Sequence, residues 1–244
     1  MTTPVGRVAQ LWRHPVKSFQ GEQLAEAVVD DDGLRGDRTW GVRSAATGRV
    51  LTGRRGDEPE LHLPNGVRCE GEGPSTDHQL SAWLDDEVSL VSATSVEPAS
   101  AEYFADATDD TSAAIEWTMA DGRFVDAAAL LLLTTGSLTV GRLHHPDGVW
   151  DLRRFRPNVF IETEAASSIE DAWCGHAVQI GDVSVRADEP CVRCTMVTRP
   201  QPDLPRDLEI YKILARHHHG TFGVWSSVLT PGTIGVGDVV ALQP

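Results

Sequence analysis

Short runs of alternating apolar and polar residues occur along most of the chain and predict strands. Successive side chains of a strand point to opposite faces, so a half-buried strand alternates in this way. Turn residues such as those at 30–33 and 46–48 separate some of the runs. The predicted strands are residues 5–12, 24–29, 39–44, 88–91, 159–162, 177–180, 183–187 and 222–228, with two closing strands at the end around a glycine turn at 235–237. Strands outnumber helices, which predicts a β-rich (α+β) fold with a barrel-type core.

Two segments have the pattern of helices. Residues 126–143 contain the longest apolar run, 127–133, which is apolar on all sides and therefore predicted to be buried. Residues 203–217 place Leu208, Tyr211 and Leu214 at roughly helical spacing. We therefore expect a few helices beside the barrel.

The middle of the chain predicts a boundary. Residues 95–112 are rich in Ala, Asp, Thr and Ser and have weak periodicity, which is typical of an interdomain connection or a mobile loop. This placement predicts two domains, residues 1–112 and residues 113–244.

Charge and composition narrow the possible partners. The chain has 244 residues, is 41% hydrophobic, and carries a formal net charge of -15. That charge argues against nucleic acid, whose phosphates need Lys and Arg, and against an anionic membrane surface. The longest apolar run is well short of the roughly 20 residues of a membrane span. Four cysteines without a disulfide framework and an N-terminus without a secretory pattern predict a reducing, cytoplasmic location.

The two cysteines of Cys191-Val192-Arg193-Cys194 have three chemical interpretations. They could form half of a zinc site, a redox dithiol, or one metal-binding thiolate beside a structural partner, since a nearby cation such as Arg193 stabilises a thiolate. No second such pair exists, and the adjacent histidines at 217–219 point in different directions, which weakens zinc. Residues 195–198 have a β-like pattern, whereas a redox dithiol favours a helix start. Two small buried side chains remain the structural alternative.

Arginines lead into the predicted strand 159–162. Arg153, Arg154 and Arg156 come before Pro157, and Asn158 offers a donor and an acceptor. In an acidic chain, clustered guanidinium groups suggest an anion site because they match phosphate oxygens. The alternative is surface ion pairing, which fits Arg153 and Arg154 better than Arg156.

Three further residues could contact a ligand. Lys17 and Ser18 interrupt the region after the first strand, and Arg38 follows in a Gly-Asp-Arg-Thr-Trp segment. A Lys-Ser turn is usually exposed to solvent, so this motif is weak alone. Ser137 lies in a polar interruption of the predicted buried helix, where it could cap the following turn or bind a ligand.

In this order the motifs resemble the MOSC family. The resemblance rests on Pro-Val-Lys-Ser at 15–18, Gly-Asp-Arg-x-Trp at 36–40, Asp126 before the apolar run that ends at Ser137-Leu138, Arg-Phe-Arg-Pro-Asn at 154–158, and the Cys-x-Arg-Cys segment. It covers nearly the whole chain and is similar to the mitochondrial amidoxime-reducing components and their bacterial relatives. The implied fold is a MOSC β-barrel core with an N-terminal β-barrel-like domain.

The resemblance also implies a cofactor and its ligands. The cofactor would be the molybdenum cofactor, Mo-molybdopterin, with Cys194 as the thiolate on molybdenum and Cys191 not a ligand. The implied cofactor-binding residues are Lys17, Ser18, Arg38, Ser137, Arg156 and Asn158.

The implied activity is reduction of N-hydroxylated small molecules such as amidoximes, hydroxylamines and N-oxides. Electrons would come from a separate flavin or iron–sulfur donor, since the sequence has no dinucleotide fingerprint and no further cysteine group for an iron–sulfur centre. The mitochondrial proteins tend to carry an aspartate shortly after the metal ligand, where this chain has Thr198-Arg199-Pro200-Gln201, so the substrate preference stays open. The alternatives are a cofactor-binding or sulfur-carrier module without its own reductase activity, and a zinc-stabilised binding barrel.

Overall fold

The computed structural model describes residues 2–46, 60–63, 67–95, 100–104, 114–119, 122–125, 127–201 and 203–243. The strands are β1 (Thr3–Arg13), β2 (Glu22–Leu24), β3 (Glu26–Asp30), β4 (Gly33–Leu34), β5 (Trp40–Ser44), β6 (Glu60–His62), β7 (Arg68–Glu70), β8 (Val88–Ser92), β9 (Ser100–Phe104), β10 (Ala114–Thr118), β11 (Leu130–Thr134), β12 (Val159–Glu162), β13 (Ala177–Ile180), β14 (Val183–Val192), β15 (Thr221–Thr230), β16 (Gly232–Gly235) and β17 (Val239–Leu242). The α-helices are α1 (Pro74–Leu84), α2 (Thr135–His144) and α3 (Leu208–His217), and 3-10 helices span Leu152–Arg154, Ile169–Trp173 and Thr195–Thr198. In these ranges, no helix has the length and apolar character needed to cross a membrane.

A closed seven-stranded barrel forms the centre of one compact unit. Its strands follow the order β12-β11-β15-β14-β13-β17-β1, and antiparallel pairing of β1 with β12 closes the ring. β11 and β12 are parallel, whereas the other printed pairs of the ring are antiparallel. Alternate residues such as Val8, Val159 and Val178 fill the interior. The β-rich barrel prediction is confirmed.

The chain divides into two compact units at positions that differ from the predicted boundary. The first unit contains residues 1–13, 23–35 and 128–244, and the second contains residues 14–22 and 36–127. Residues 1–13 belong to the first unit because β1 pairs with β12 and β17, both near the other end of the sequence. Pairing over such distances leaves no local pattern, so the single predicted boundary after residue 112 did not include it.

The second unit has its own core. Its described strands pair as β5 with β8, β6 with β7, and β9 with β10. Beside them, α1 contributes Leu80 and Leu84 to a cluster that includes Phe19 and Val42. The predicted connection at 95–112 contains the strand β9, and residues 96–99 and 105–112 lie outside the described residues.

The predicted helix at 126–143 is wrong in its first half. Leu130–Thr134 form the strand β11, and α2 begins at Thr135. Leu132 packs into the barrel interior, while Leu133 packs outside the barrel against residues that include Leu138 of α2. Both faces of the strand are covered, so its sequence is apolar throughout and lacks alternation.

Two other boundaries differ around the cysteine pair. The strand predicted at 183–187 continues to Val192, so Cys191 belongs to β14. Residues 195–198 form a 3-10 helix and not a strand. The predicted helix at 203–217 begins at Leu208, where the side chain of Asp207 accepts a hydrogen bond from the amide of Glu209.

A buried carboxyl group fixes the start of α2. Glu170 has no solvent-exposed surface, and its oxygens accept hydrogen bonds from the Thr134 amide (3.2 Å), the Thr134 hydroxyl (2.6 Å) and the Ser137 hydroxyl (2.5 Å). Thr134 is the N-cap, because its hydroxyl accepts from the Ser137 amide. Burial raises the pKa of Glu170 above its ordinary value of 4.5, against the opposing effect of these hydrogen bonds.

Glu170→Gln is expected to remove a pH dependence of stability. Because the folded pKa is raised, the unfolded state binds fewer protons between pH 4.5 and the folded pKa. The free energy of unfolding of the wild type should therefore decrease, relative to the variant, as pH rises through this interval. Urea unfolding at a series of pH values measures the difference, and Glu162→Gln, at an exposed position of β12, is the control. Parallel curves for wild type and Glu170→Gln would contradict the assignment.

Candidate functional site

The two cysteines of the Cys-x-x-Cys segment differ in burial. Cys191, on β14, is 2% exposed, whereas Cys194 follows the strand, precedes the 3-10 helix Thr195–Thr198 and is partly exposed. A molecule outside the protein can thus approach Cys194 more readily than Cys191. Within the described ranges, no three His, Cys, Asp or Glu side chains are grouped so that they could hold a metal ion, and the geometry gives the zinc interpretation no support.

Arg193 connects the cysteine segment to the arginine turn. Its Nη1 donates to the sulfur of Cys191 at 2.9 Å, and its Nη2 donates to the carbonyl oxygen of Phe155 at 2.8 Å. Its Nε is buried and has no hydrogen-bond partner in the described part of the chain. The expected arginine–sulfur contact therefore exists, but it involves Cys191. The link to Phe155 was not predicted, because no local pattern relates positions 38 residues apart.

Arg153 makes the ion pairs expected of a surface residue. Its guanidinium donates to both carboxylate oxygens of Asp151 and to both of Asp203, at 2.8 or 2.9 Å. The hydrogen bond from Asp151, followed by that from Asp203, raises the pKa of Arg153. The surface interpretation of this residue agrees with the structure.

The surface interpretation of Arg154 is wrong. This side chain is completely buried and donates to four backbone carbonyl groups, at distances of 2.7 to 3.3 Å, which belong to Val149, Val197, Arg199 and Pro205. Burial lowers the pKa of Arg154, but an arginine remains protonated. Arg154 thus fixes the segment that follows Cys194 against the arginine turn.

Arg156 has an unusual backbone conformation. Its φ is 56°, its side chain is largely buried, and its amide donates to the Leu152 carbonyl at 3.1 Å. A positive φ is uncommon for residues other than glycine. The carbonyl of the preceding residue, Phe155, accepts from Arg193, so this turn is held beside the cysteine segment.

Two predicted cofactor residues have side chains that hydrogen-bond inside the protein. The Asn158 amide donates to the Trp12 carbonyl and accepts from the Leu131 amide, which links β12 to β1 and β11. The Ser137 hydroxyl donates to Glu170. Both side chains are 1% exposed. This geometry favours the structural alternative for Ser137, except that Thr134 provides the cap, and a cofactor contact from either residue stays a prediction.

In the second unit, Lys17, Ser18 and Arg38 lie in connected loops. Phe124 joins two of them, because its amide donates to the Arg38 carbonyl and its carbonyl accepts from the Lys17 ammonium at 3.3 Å. Lys17 and Ser18 are 5% and 8% exposed, so the expectation of a solvent-facing turn is wrong. Their φ values include 67° for Ser18 and 52° for Arg38.

Two charged neighbours complete this arrangement. Asp37 is buried and accepts hydrogen bonds from the His14 amide at 2.7 Å and from Arg38. Arg123, directly before Phe124, is 6% exposed. The sequence analysis did not identify Arg123, since no motif surrounds it, and only its burial distinguishes it from a surface arginine.

Sequence comparisons place the whole chain among known proteins. The MOSC N-terminal beta barrel domain matches residues 5–129, and the MOSC domain matches residues 120–241. Mitochondrial amidoxime-reducing component 1 of Mus musculus is 27% identical, over 98% of this chain and 82% of that protein. Mitochondrial amidoxime reducing component 2 of Homo sapiens is 26% identical, over 97% and 83%. Molybdenum cofactor sulfurase of Drosophila mojavensis is 25% identical, over 93% of this chain but 32% of that protein.

A solved structure has a similar fold. The YUAD protein from Bacillus subtilis superposes with a TM-score of 0.51, over 99% of this chain and 98% of that one, at 13% identity. At this identity the likeness concerns the fold alone. Together with the two domain matches and the closed barrel, it leads to one conclusion: the chain belongs to the MOSC domain family and carries the MOSC N-terminal β-barrel domain ahead of the MOSC domain.

Proposed function

We propose that this protein is a cytoplasmic enzyme that binds Mo-molybdopterin through Cys194 and reduces N-hydroxylated small molecules. The substrates would be amidoximes, hydroxylamines or N-oxides, and the electrons would come from a separate flavin or iron–sulfur protein. Membership of the MOSC family and relatives named for amidoxime reduction and for the molybdenum cofactor support a role connected with this cofactor.

Backbone strain is the observation that carries the proposal. Five described residues other than glycine have a left-handed φ between 52° and 67°: Ser18, Arg38, Asp85, Arg156 and His219. Asp85 and His219 lie at the ends of α1 and α3, where this conformation is common. The other three are predicted cofactor residues. Each such conformation costs about 1–3 kcal/mol and tends to persist at binding sites.

The residues fit the proposed cofactor in charge and in chemistry. A soft thiolate suits a soft transition metal, and Cys194 is the more accessible thiol of its pair. Arg156 would hold an anionic part of the cofactor, because a guanidinium fork matches phosphate oxygens. Lys17 and Arg38 are cations with constrained positions, and we propose that they and Ser18 bind phosphate too. Their prior fixation reduces the entropy lost on binding.

The other residues of the first unit would position these groups. Arg193 holds the Arg156 turn beside the cysteine segment, and Arg154 fixes the chain after Cys194. Asn158 and Ser137 connect the strands and the helix behind the turn. The bound cofactor supplies the two-electron redox chemistry that cleavage of an N–O bond requires. Cleavage of a hydroxylamine then consumes two electrons and two protons and releases the amine and water.

A second candidate is a cofactor-binding or sulfur-carrier module without reductase activity. The match to a molybdenum cofactor sulfurase, over 32% of that protein, favours this alternative. Both candidates require the cofactor, so turnover distinguishes them.

The deciding experiment combines cofactor analysis with turnover. Protein produced in a host that makes the cofactor should contain molybdenum and pterin, and should reduce benzamidoxime with reduced methyl viologen. It should be inactive with NADPH alone, because the sequence has no dinucleotide fingerprint. Cofactor without turnover of any N-hydroxylated substrate would favour the carrier module. Absence of the cofactor would refute both, and reduction by NADPH alone would refute the separate donor.

Cys194→Ser is expected to abolish activity and the absorption that arises from charge transfer between thiolate and metal. A serine hydroxyl is hard and poorly ionised, so it is a poor ligand for this metal. Cys191→Ser is the matched control and should retain measurable activity. Absorption spectra and viologen-driven turnover of both variants provide the test. Loss of the absorption in Cys191→Ser but not in Cys194→Ser would show that the ligand assignment is wrong.

Arg156→Gly is expected to lower cofactor content without loss of stability. The substitution removes one charge-assisted hydrogen bond, worth about 1.5–3 kcal/mol. It also relieves the left-handed φ, which offsets lost contacts by about 1 kcal/mol. Molybdenum content should fall at least about tenfold when the cofactor is limiting, given that 1.4 kcal/mol is tenfold. Lys17→Ala should act in the same direction, whereas Arg153→Ala should leave the content unchanged. Full occupancy in Arg156→Gly and Lys17→Ala would refute the phosphate-binding roles.

A further inference from the structure

A second cleft lies on the first unit, outside the barrel. It has a volume of about 840 Å3 and lies between β1, β12, α2 and the loop that follows α2. This volume is within the range of small-molecule sites. Neither Cys194 nor Arg156 lines it, so it is distinct from the proposed cofactor residues.

The floor of the cleft is apolar and contains two aromatic rings. Leu138 and Phe160 are 5% and 7% exposed, and Trp12 is partly exposed. The indole nitrogen of Trp12 donates to the side-chain oxygen of Gln10 at 2.9 Å, which fixes the orientation of the ring. A flat aromatic group is the natural complement, because stacked and edge-to-face ring contacts add to the burial of apolar area.

Two opposite charges lie at the same cleft. Nη2 of Arg142 donates to the Trp150 carbonyl at 3.3 Å, and the Trp150 indole donates to the His145 carbonyl at 3.1 Å. The amide of Gly148 also donates to the His145 carbonyl, which closes the turn that carries Asp147. These bonds hold the guanidinium against that turn.

The two charges do not neutralise each other. No ion pair joins Arg142 to Asp147 in the described part of the chain, although both line the cleft. By contrast, Arg153 and Asp151 of the same cleft form an ion pair of 2.8 Å. Arg142 and Asp147 are both exposed and available to a ligand.

We propose that this cleft binds a small aromatic zwitterion of the α-amino-acid type. The ring would lie on Trp12, Leu138 and Phe160. The carboxylate would meet Arg142 and the ammonium would meet Asp147. A purely anionic ligand would face Asp147 and a net charge of -15, and a purely cationic one would face Arg142. A zwitterion satisfies both groups.

Four probes that share a phenyl ring test the proposal by ligand-observed NMR titration. They are L-phenylalanine, 2-phenylethylamine without the carboxylate, 3-phenylpropanoate without the ammonium, and the uncharged N-acetylphenylalanine amide. L-Phenylalanine should bind with a Kd of about 1 mM or below. Each singly charged probe should bind about threefold to fivefold more weakly, the effect of one exposed ion pair.

Variants should remove these preferences one at a time. In Arg142→Gln, L-phenylalanine should bind no better than 2-phenylethylamine. In Asp147→Asn, it should bind no better than 3-phenylpropanoate. Arg216→Gln, at the equivalent last turn of α3, is the matched control and should bind like the wild type. All three positions are exposed, so the variants are expected to fold.

Three results would overturn the proposal. One is the absence of saturable L-phenylalanine binding by folded wild-type protein up to about 10 mM, tenfold above the expected Kd. The second is equal binding of the uncharged amide, which would mean that the apolar floor alone selects ligands. The third is unchanged preferences in both charge variants. None of these results depends on molybdenum content, so the test is independent of the proposed function.

Discussion

The buried guanidinium of Arg154 is the interaction on which the arrangement around Cys194 depends. It donates to carbonyl groups before and after the cysteine segment's 3-10 helix and so joins Val149, Val197, Arg199 and Pro205. A fully buried charge requires compensation by hydrogen bonds, and four carbonyl oxygens provide it. Irregular backbone of this kind has few internal hydrogen bonds of its own. The side chain therefore does for residues 195–205 what ladder hydrogen bonds do for the barrel strands.

Rigidity near Cys194 explains how a strained turn persists beside it. Arg156 has a left-handed φ, and the carbonyl of its neighbour Phe155 accepts from Arg193. The turn is thus fixed from two sides, by Arg193 and by the clamp of Arg154. A strained conformation survives where the surrounding structure determines it. The second unit uses a comparable device, since Phe124 bridges the loops that contain Lys17 and Arg38.

Family membership and the two sites have different kinds of support. The MOSC assignment rests on matches that together span residues 5–241. The cofactor role is a proposal that explains why strain and buried cations coincide with the motif residues. The second cleft belongs to the outer surface of the barrel, where Gln10 and Trp12 flank the core residue Leu11. A closed barrel leaves the outward positions of each strand free to form a site of their own.

The sequence alone determined the strand-rich class and the family resemblance. Alternation identified β1, β5, β12, β13 and β15, because half-buried strands carry that period. The motifs indicated Lys17, Arg38, Arg156 and Cys194. Only the tertiary structure decided that Leu130–Thr134 is a strand, since both of its faces are covered by residues distant in the sequence. It alone placed Arg154 inside the protein and directed Ser137 and Asn158 to internal partners. Burial and hydrogen-bond partners depend on contacts between distant residues, and a local pattern does not contain them.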